Sequence, residues 1–255
     1  MKTFLTKYLK IIIGWSAVVL LIFISIGFAN KEQSKRRYKE VAFEISNQFN
    51  NYFIDEKDLR TIISEDGGQI IEGNKLARLN LREVENRLTS ELFISEAQTY
   101  RDLKGNLVVN AVQRRPIARV VRNNAPDAYI GDDGLILPVS EKFTSRVLLI
   151  TGAFADSLVN TESIKDRYES YLVLLQKIYN DKLLRAQISQ MDIDAKGEID
   201  MYPQVTKQVI EFGMPDDIEL KFKKLEVFYK MILPKKGWNY YSRVNLTYSN
   251  QIVCE

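Results

Sequence analysis

The chain has 255 residues, 36 Lys and Arg against 33 Asp and Glu, one cysteine and no histidine. Without histidine there is no Ser-His-Asp triad, no Cys-His pair and no ordinary catalytic zinc site. With Cys254 alone there is no intramolecular disulfide, and no Gly-rich phosphate loop is present.

Residues Ile11 to Ala29 carry no charge. Those 19 residues would span roughly 28 Å as a helix, close to a bilayer's hydrocarbon thickness. Lys2, Lys7 and Lys10 precede the run, and Gly27-Phe28-Ala29 could pass as a cleavage site. The run is longer and bulkier than a signal peptide's apolar stretch, so an uncleaved anchor is the preferred reading. Five basic residues, Lys31, Lys35, Arg36, Arg37 and Lys39, follow it. A charge count alone would hold the long part in the cytoplasm, but long domains translocate largely regardless of such charge. The expected arrangement is a cytoplasmic tail over 1–10, a transmembrane helix over 11–29 and a basic segment over 30–39 that meets lipid headgroups. Residues 1–39 hold eight basic residues and one acidic, and the rest 28 basic against 32 acidic. The basic excess is therefore membrane-proximal, and nucleic-acid binding has no support.

Residues from Tyr38 to Phe53 fit a strand or an extension into a first domain. Asp55 predicts a helix N-cap with Asp58 in the first turn. Leu59, Ile62 and Ile63 give the apolar stripe, and Asp66-Gly67-Gly68 the stop. Asn80 and Glu83 predict a capping box for a second helix with Leu81, Val84, Leu88 and Leu92 on one face. Phe93–Leu103 and Asn106–Val112 read as a hairpin turning at Lys104-Gly105. Arg114-Arg115-Pro116 closes this unit, since Pro116 discourages further pairing.

From Ala118 the punctuation changes to short strands, at Arg119–Val121, Tyr129–Ile130, Leu135–Leu137 and Val147–Ile150. Ile164, Tyr168, Tyr171, Leu172, Leu175 and Tyr179 mark an amphipathic helix. Ala186–Ile193, Glu198–Tyr202 and Val205–Phe212 form a meander. A second helix opens at Pro215-Asp216-Asp217, with Ile218, Phe222, Leu225, Tyr229 and Ile232 on one face, and Pro234 stops it. Two last strands, near Tyr240–Tyr248 and Gln251–Val253, turn at Ser249-Asn250. Asp132-Asp133-Gly134 reads as a turn, and Asp192 and Asp194 as a strand's solvent face, so neither pair argues for catalysis. Arg114 and Arg115 could clamp a carboxylate, but neighbours on a strand point to opposite faces, which favours a boundary role. Cys254 reads as a small apolar residue near a terminal strand.

Several strings resemble the FtsQ/DivIB family of bacterial cell-division proteins. Ile54-Asp55-Glu56-Lys57-Asp58-Leu59 resembles the opening of that family's first POTRA helix. Val108 to Ala118, reading VVNAVQRRPIA, resembles its V-x-V-x-E-R-x-P-x-A ending, with Gln113 where Glu is usual. Tyr129 to Leu137 is similar to its D-x-x-G hairpin. Val244-Asn245-Leu246-Thr247-Tyr248 resembles V-D-L-R-Y, with Asn245 and Thr247 replacing Asp and Arg.

The resemblance implies an α+β fold: a single N-terminal transmembrane helix, a β-α-α-β-β POTRA domain over 40–117, and a mostly antiparallel β domain with two helices over 118–255. It implies a non-enzymatic divisome scaffold in the inner membrane, enriched at the septum, without cofactor, metal or small-molecule substrate. The implied partners are FtsB/FtsL-type single-span coiled-coil proteins and other divisome proteins, bound by strand addition at the last β strands. An exposed edge strand suits that role on physical grounds as well. The expected contact residues are Leu246, Thr247, Tyr248, Ser249 and Val253. Tyr240, Tyr241 and Tyr248 could anchor a partner or pack across strands, and packing is favoured for Tyr241. Two other classes remain open. One is a POTRA-type envelope chaperone or secretion component binding extended polypeptides; the other is a membrane-tethered hydrolase using carboxylates.

Overall fold

The computed structural model describes residues 40–46, 51–64 and 80–255, together with Trp15, Leu20, Leu21 and Ile24. The expected span over 11–29 lies outside them except for those four residues, which are helical and exposed. The expected tail over 1–10, the basic segment over 30–39 and the helix stop at Asp66-Gly67-Gly68 also lie outside them. Among the described residues no helix is long and apolar enough to cross a membrane. The chain divides into two units, Met1–Ser46 with Ile54–Val112, and Asn47–Phe53 with Gln113–Glu255.

The first unit contains β1 (Val41–Ser46), α1 (Glu56–Ser64), α2 (Leu81–Ser90), β2 (Ile94–Arg101) and β3 (Leu107–Gln113). Its sheet runs β1-β3-β2. The central strand β3 is nearly all apolar and buried, as a strand covered on both faces must be. It pairs parallel with β1, Val41 opposite Leu107 through Ser46 opposite Val112. The Asp55 cap is reciprocal: Asp58 N–H donates to Asp55 Oδ1 and Asp55 N–H to Asp58 Oδ2, both at 2.9 Å. The Asn80 box is not made. Asn80 stands at the N-cap without a side-chain bond, and Glu83 instead pairs with Arg87 one turn on, at 2.8 Å. Glu85, not Glu83, ties α2 to the sheet by accepting from Thr99 N–H at 2.6 Å. Leu92 falls past the helix end and is exposed.

The second unit begins earlier than Ala118. Pro116 does not end pairing; it is the first residue of β4 (Pro116–Val120), where a missing N–H is tolerated. β5 (Ala128–Gly131), β6 (Ile136–Pro138) and β7 (Leu148–Thr151) follow. Next come α3 (Ala155–Val159), α4 (Glu169–Asn180), α5 (Lys182–Gln187), β8 (Ile188–Ile193), β9 (Ile199–Pro203) and β10 (Val209–Gly213). α6 (Ile218–Val227) continues through a π-helical turn, Phe228–Ile232, into α7 (Leu233–Lys236). β11 (Arg243–Asn245) and β12 (Val253–Cys254) complete the unit. The nine-stranded sheet runs β12-β11-β10-β9-β8-β7-β4-β5-β6.

This sheet is mixed. β4–β7, β7–β8 and β10–β11 pair in parallel, and the other five neighbours antiparallel. Each parallel pair needs a long crossover, and helices supply those between β7 and β8 and between β10 and β11. There are accordingly more helices than the two expected. Pro234 does not stop its helix, because the ladder ahead of it shifts register: Leu233 N–H bonds five residues back to Phe228. The helices and the sheet's inner face share one core, including Val120, Ile150, Leu174, Leu175, Met191, Ile210, Phe212, Phe228 and Leu233. Gly152 turns β7 toward α3 at φ 103°, and a Cβ there would meet Ile193 O at 2.1 Å.

Residues 51–53 belong to this unit through Gln113, whose side chain is buried. Its Oε1 accepts from Phe53 N–H and its Nε2 donates to Asn51 O, both at 3.0 Å. Glu at this position could accept but not donate. Gln113→Glu is therefore expected to destabilise the protein by about 1–3 kcal/mol at neutral pH. The deficit should shrink near pH 4, as the carboxyl regains a donor. Chemical denaturation at the two pH values measures it.

Candidate partner-binding edge

A sheet offers unpaired backbone groups only at its two ends. At the β6 end they are occupied. Ile136 N–H donates to Glu162 O at 3.0 Å, and Leu135 bridges to Ser163. At the other end lies β12. Glu255 and Arg243 exchange both backbone bonds, at 3.0 and 3.2 Å. In an antiparallel ladder the next residue then turns both its groups away from its neighbour. Cys254 N–H and C=O thus face out from β11, toward the open side.

The edge is built on β10. Val244 pairs with Ile210, and the ladder continues as Leu246 N–H donates to Glu211 O at 2.9 Å. Glu211 also takes the Arg243 guanidinium and the Asn245 amide. Asn245 Oδ1 accepts from Thr247 N–H at 2.9 Å and Thr247 Oγ1 at 2.7 Å, turning the chain out of the strand. Gly213 lets this turn approach: a Cβ there would lie 2.8 Å from Thr247 Cγ2. Lys224 then holds the turn, donating from Nζ to Leu246 O and Tyr248 O, both at 2.6 Å. Burial pulls Lys224 below the ordinary lysine range, and the charge of Lys221 adds to the pull.

The expected contact residues separate. Leu246 is fully buried, because 244 and 246 both point into the core, so its side chain is not available to a partner. Thr247 and Ser249 are exposed, Tyr248 is 50% exposed, and Val253 is half-buried opposite Asn245. The expected strand over Tyr240–Tyr248 forms at Arg243–Asn245 alone. Tyr241 packs against Phe228 and the core, whereas Tyr240 is exposed beneath Lys236. Tyr229 stacks on Trp238, and its hydroxyl is buried without a hydrogen-bond partner among the described residues. Burial pushes its pKa up to about 12. Sequence reasoning missed Lys224, since two carbonyls more than twenty residues away leave no pattern on its own helix.

The acidic pairs have structural partners. Asp132 binds Arg115 at 2.7 Å and Asp133 binds Arg114, so consecutive arginines clamp consecutive aspartates of one turn. Asp194 accepts Lys196 and Glu198 N–H groups in its own turn. Asp192 lies opposite Asp200 and takes the Thr151 hydroxyl at 2.6 Å. Burial pushes Asp200 above the usual carboxylate range, and Glu211 and Asp192 push the same way. Cys254 is half-buried against the core, and burial raises its thiol.

A small β-α-α-β-β unit followed by a β-rich unit, whose last strand has an open edge among the described residues, defines the class of protein. Residues 37–112 match the model of the POTRA-like domain. Residues 115–255, more than half of the chain, match the model described as FtsQ/DivIB, C-terminal related. The chain belongs to the FtsQ/DivIB family and is a cell-division protein. No curated protein matches it.

Two outcomes follow from this geometry. Lys224→Met should leave the core intact and cost about 1 kcal/mol. It should speed amide exchange over residues 246–251 specifically, read by hydrogen-exchange mass spectrometry. Tyr229→Phe should be neutral or stabilising by about 1 kcal/mol at pH 7, because it removes an unpaired buried hydroxyl. The folded Tyr229 stays protonated while an unfolded tyrosine ionises near pH 10. Its contribution is thus complete below about pH 10 and is lost as pH rises through about 12. The variant should lack that loss in alkaline melts.

Proposed function

We propose that this protein is a non-catalytic scaffold of the division machinery, anchored by residues 11–29 in the inner membrane. In this reading its N terminus is cytoplasmic, its two domains are periplasmic, and it gathers at the septum to help coordinate cell-wall synthesis. The basic segment over 30–39 meets lipid headgroups. An FtsB/FtsL-type single-span protein adds an extended segment to β12, with Thr247, Tyr248, Ser249 and Val253 around the contact. The observation that carries this reading is the asymmetry of the sheet: the β6 edge is covered by Glu162 and Ser163, while Cys254 turns its backbone groups outward. Tyr248, half exposed next to that edge, is a fitting anchor.

The test uses the full chain, co-purified from membranes with its partners and read by mass spectrometry. Cys254→Pro removes an outward N–H without touching the bonds to β11, and should weaken recovery about three- to tenfold. Tyr248→Ala should weaken it about tenfold or more. A charge at the buried Leu246 would report unfolding instead. Recovery of two small single-span proteins, reduced in both variants while melting is unchanged, is the expected result. Undiminished recovery would remove the edge as the site.

A further inference from the structure

A second surface lies across the sheet from β12, where the parallel strands β4, β7 and β8 begin. A groove of about 380 Å³ opens there between the strand ends and the helices α4 and α5. Its floor is apolar, with Ile117, Ile178 and Ile188 all buried. Its rim carries three arginines, Arg119, Arg146 and Arg185, and no carboxylate lines it.

The three arginines are not equivalent. Arg119 is neutralised by Asp127, with contacts of 2.7 and 2.9 Å. Arg146 and Arg185 have no carboxylate partner among the described residues. Arg185 is held instead by an aromatic ring, 5.2 Å from the Tyr179 centroid. The same ring takes Arg115 at 5.0 Å, and Arg115 is itself paired with Asp132. A guanidinium fixed by stacking keeps its in-plane N–H donors and its charge for another ligand. Thr144 adds a hydroxyl to the same groove, while those of Ser145 and Ser189 donate to Asn51 Oδ1 and Tyr202 O.

We propose that this groove docks an acidic, partly apolar segment of a partner polypeptide. The uncompensated positive rim selects carboxylate side chains, and the isoleucine floor takes the apolar residues between them. The site stands apart from β12, with β9 to β11 between them in the sheet, and does not depend on strand addition.

The probe is a fluorescent peptide of about twelve residues alternating Glu and Leu, titrated by anisotropy into the full chain in neutral detergent micelles. A Lys-Leu peptide and phosphatidylglycerol vesicles serve as comparators. Binding of the Glu-Leu peptide should fall about tenfold in the double variant Arg146→Gln/Arg185→Gln, and again on raising salt to about 0.3 M. The Lys-Leu peptide should not bind. Both arginines are exposed, so the double variant should melt with the parent protein. Equal binding by parent and variant, or no binding of the Glu-Leu peptide, would overturn the proposal. Arginine-dependent capture of the vesicles that the peptide fails to displace would overturn it in favour of a lipid surface.

Discussion

The seam between β10 and β11 carries everything on the candidate edge. Only three residues of β11 pair with β10, from Val209 opposite Arg243 to Glu211 opposite Asn245. Two flanking backbone bonds lengthen it, Val209 N–H to Ser242 O and Leu246 N–H to Glu211 O, both at 2.9 Å. Below it, Val244 and Leu246 are wholly buried beside Ile210 and Phe212. Above it, Glu211 gathers Arg243 and Asn245. The seam is short, so it relies on side chains from both faces to stay in register. β12 has no other neighbour among the described strands, and its geometry is set entirely through this join.

The same economy accounts for two of the three places, Gln113 and Asn245 but not Thr247, where the chain departs from the strings it resembles. Gln113 replaces a more usual Glu and is the one residue that can both accept from Phe53 and donate to Asn51. Asn245 replaces a more usual Asp and uses its amide in the same divided way. Nδ2 reaches Glu211 while Oδ1 takes the Thr247 backbone and hydroxyl. An aspartate at 245 would set a second negative charge against Glu211. Both departures put an amide where a group must donate and accept at once.

The elements most legible in the sequence are those whose signals are local. The reciprocal Asp55/Asp58 cap, the Lys104-Gly105 turn and the Met191/Ile193 alternation all depend on residues a few positions apart, and each is present. Misreadings arise where a distant partner decides. Glu83 fits a capping box, but Arg87 takes it. Pro234 looks like a terminator, but the π turn before it absorbs the missing donor. The parallel pairings within the large sheet follow from long crossovers, two of them helical and one through β5 and β6, which alternation along single strands does not encode. Tyr248 was legible as an exposed aromatic near the last strand. The burial of Leu246 was not, because a chain that leaves its strand after Asn245 still alternates inward at 246.

The strand that a partner would meet is very short. β12 has two residues, and an added strand would gain a few backbone bonds worth about 1 kcal/mol each. That falls well short of the roughly 8 kcal/mol of a micromolar complex. Side chains next to the edge must therefore supply most of any affinity, and Tyr248 and Tyr240 are the large exposed aromatics nearest to it in the chain. The Lys224 hold on the two carbonyls flanking Thr247 matters for the same reason. It fixes the backbone that presents Tyr248 before a partner arrives, so less ordering entropy is lost on binding. In the proposed reading, a weak edge beside one exposed aromatic would suit partners confined to one membrane, where effective concentration raises occupancy without a tighter contact.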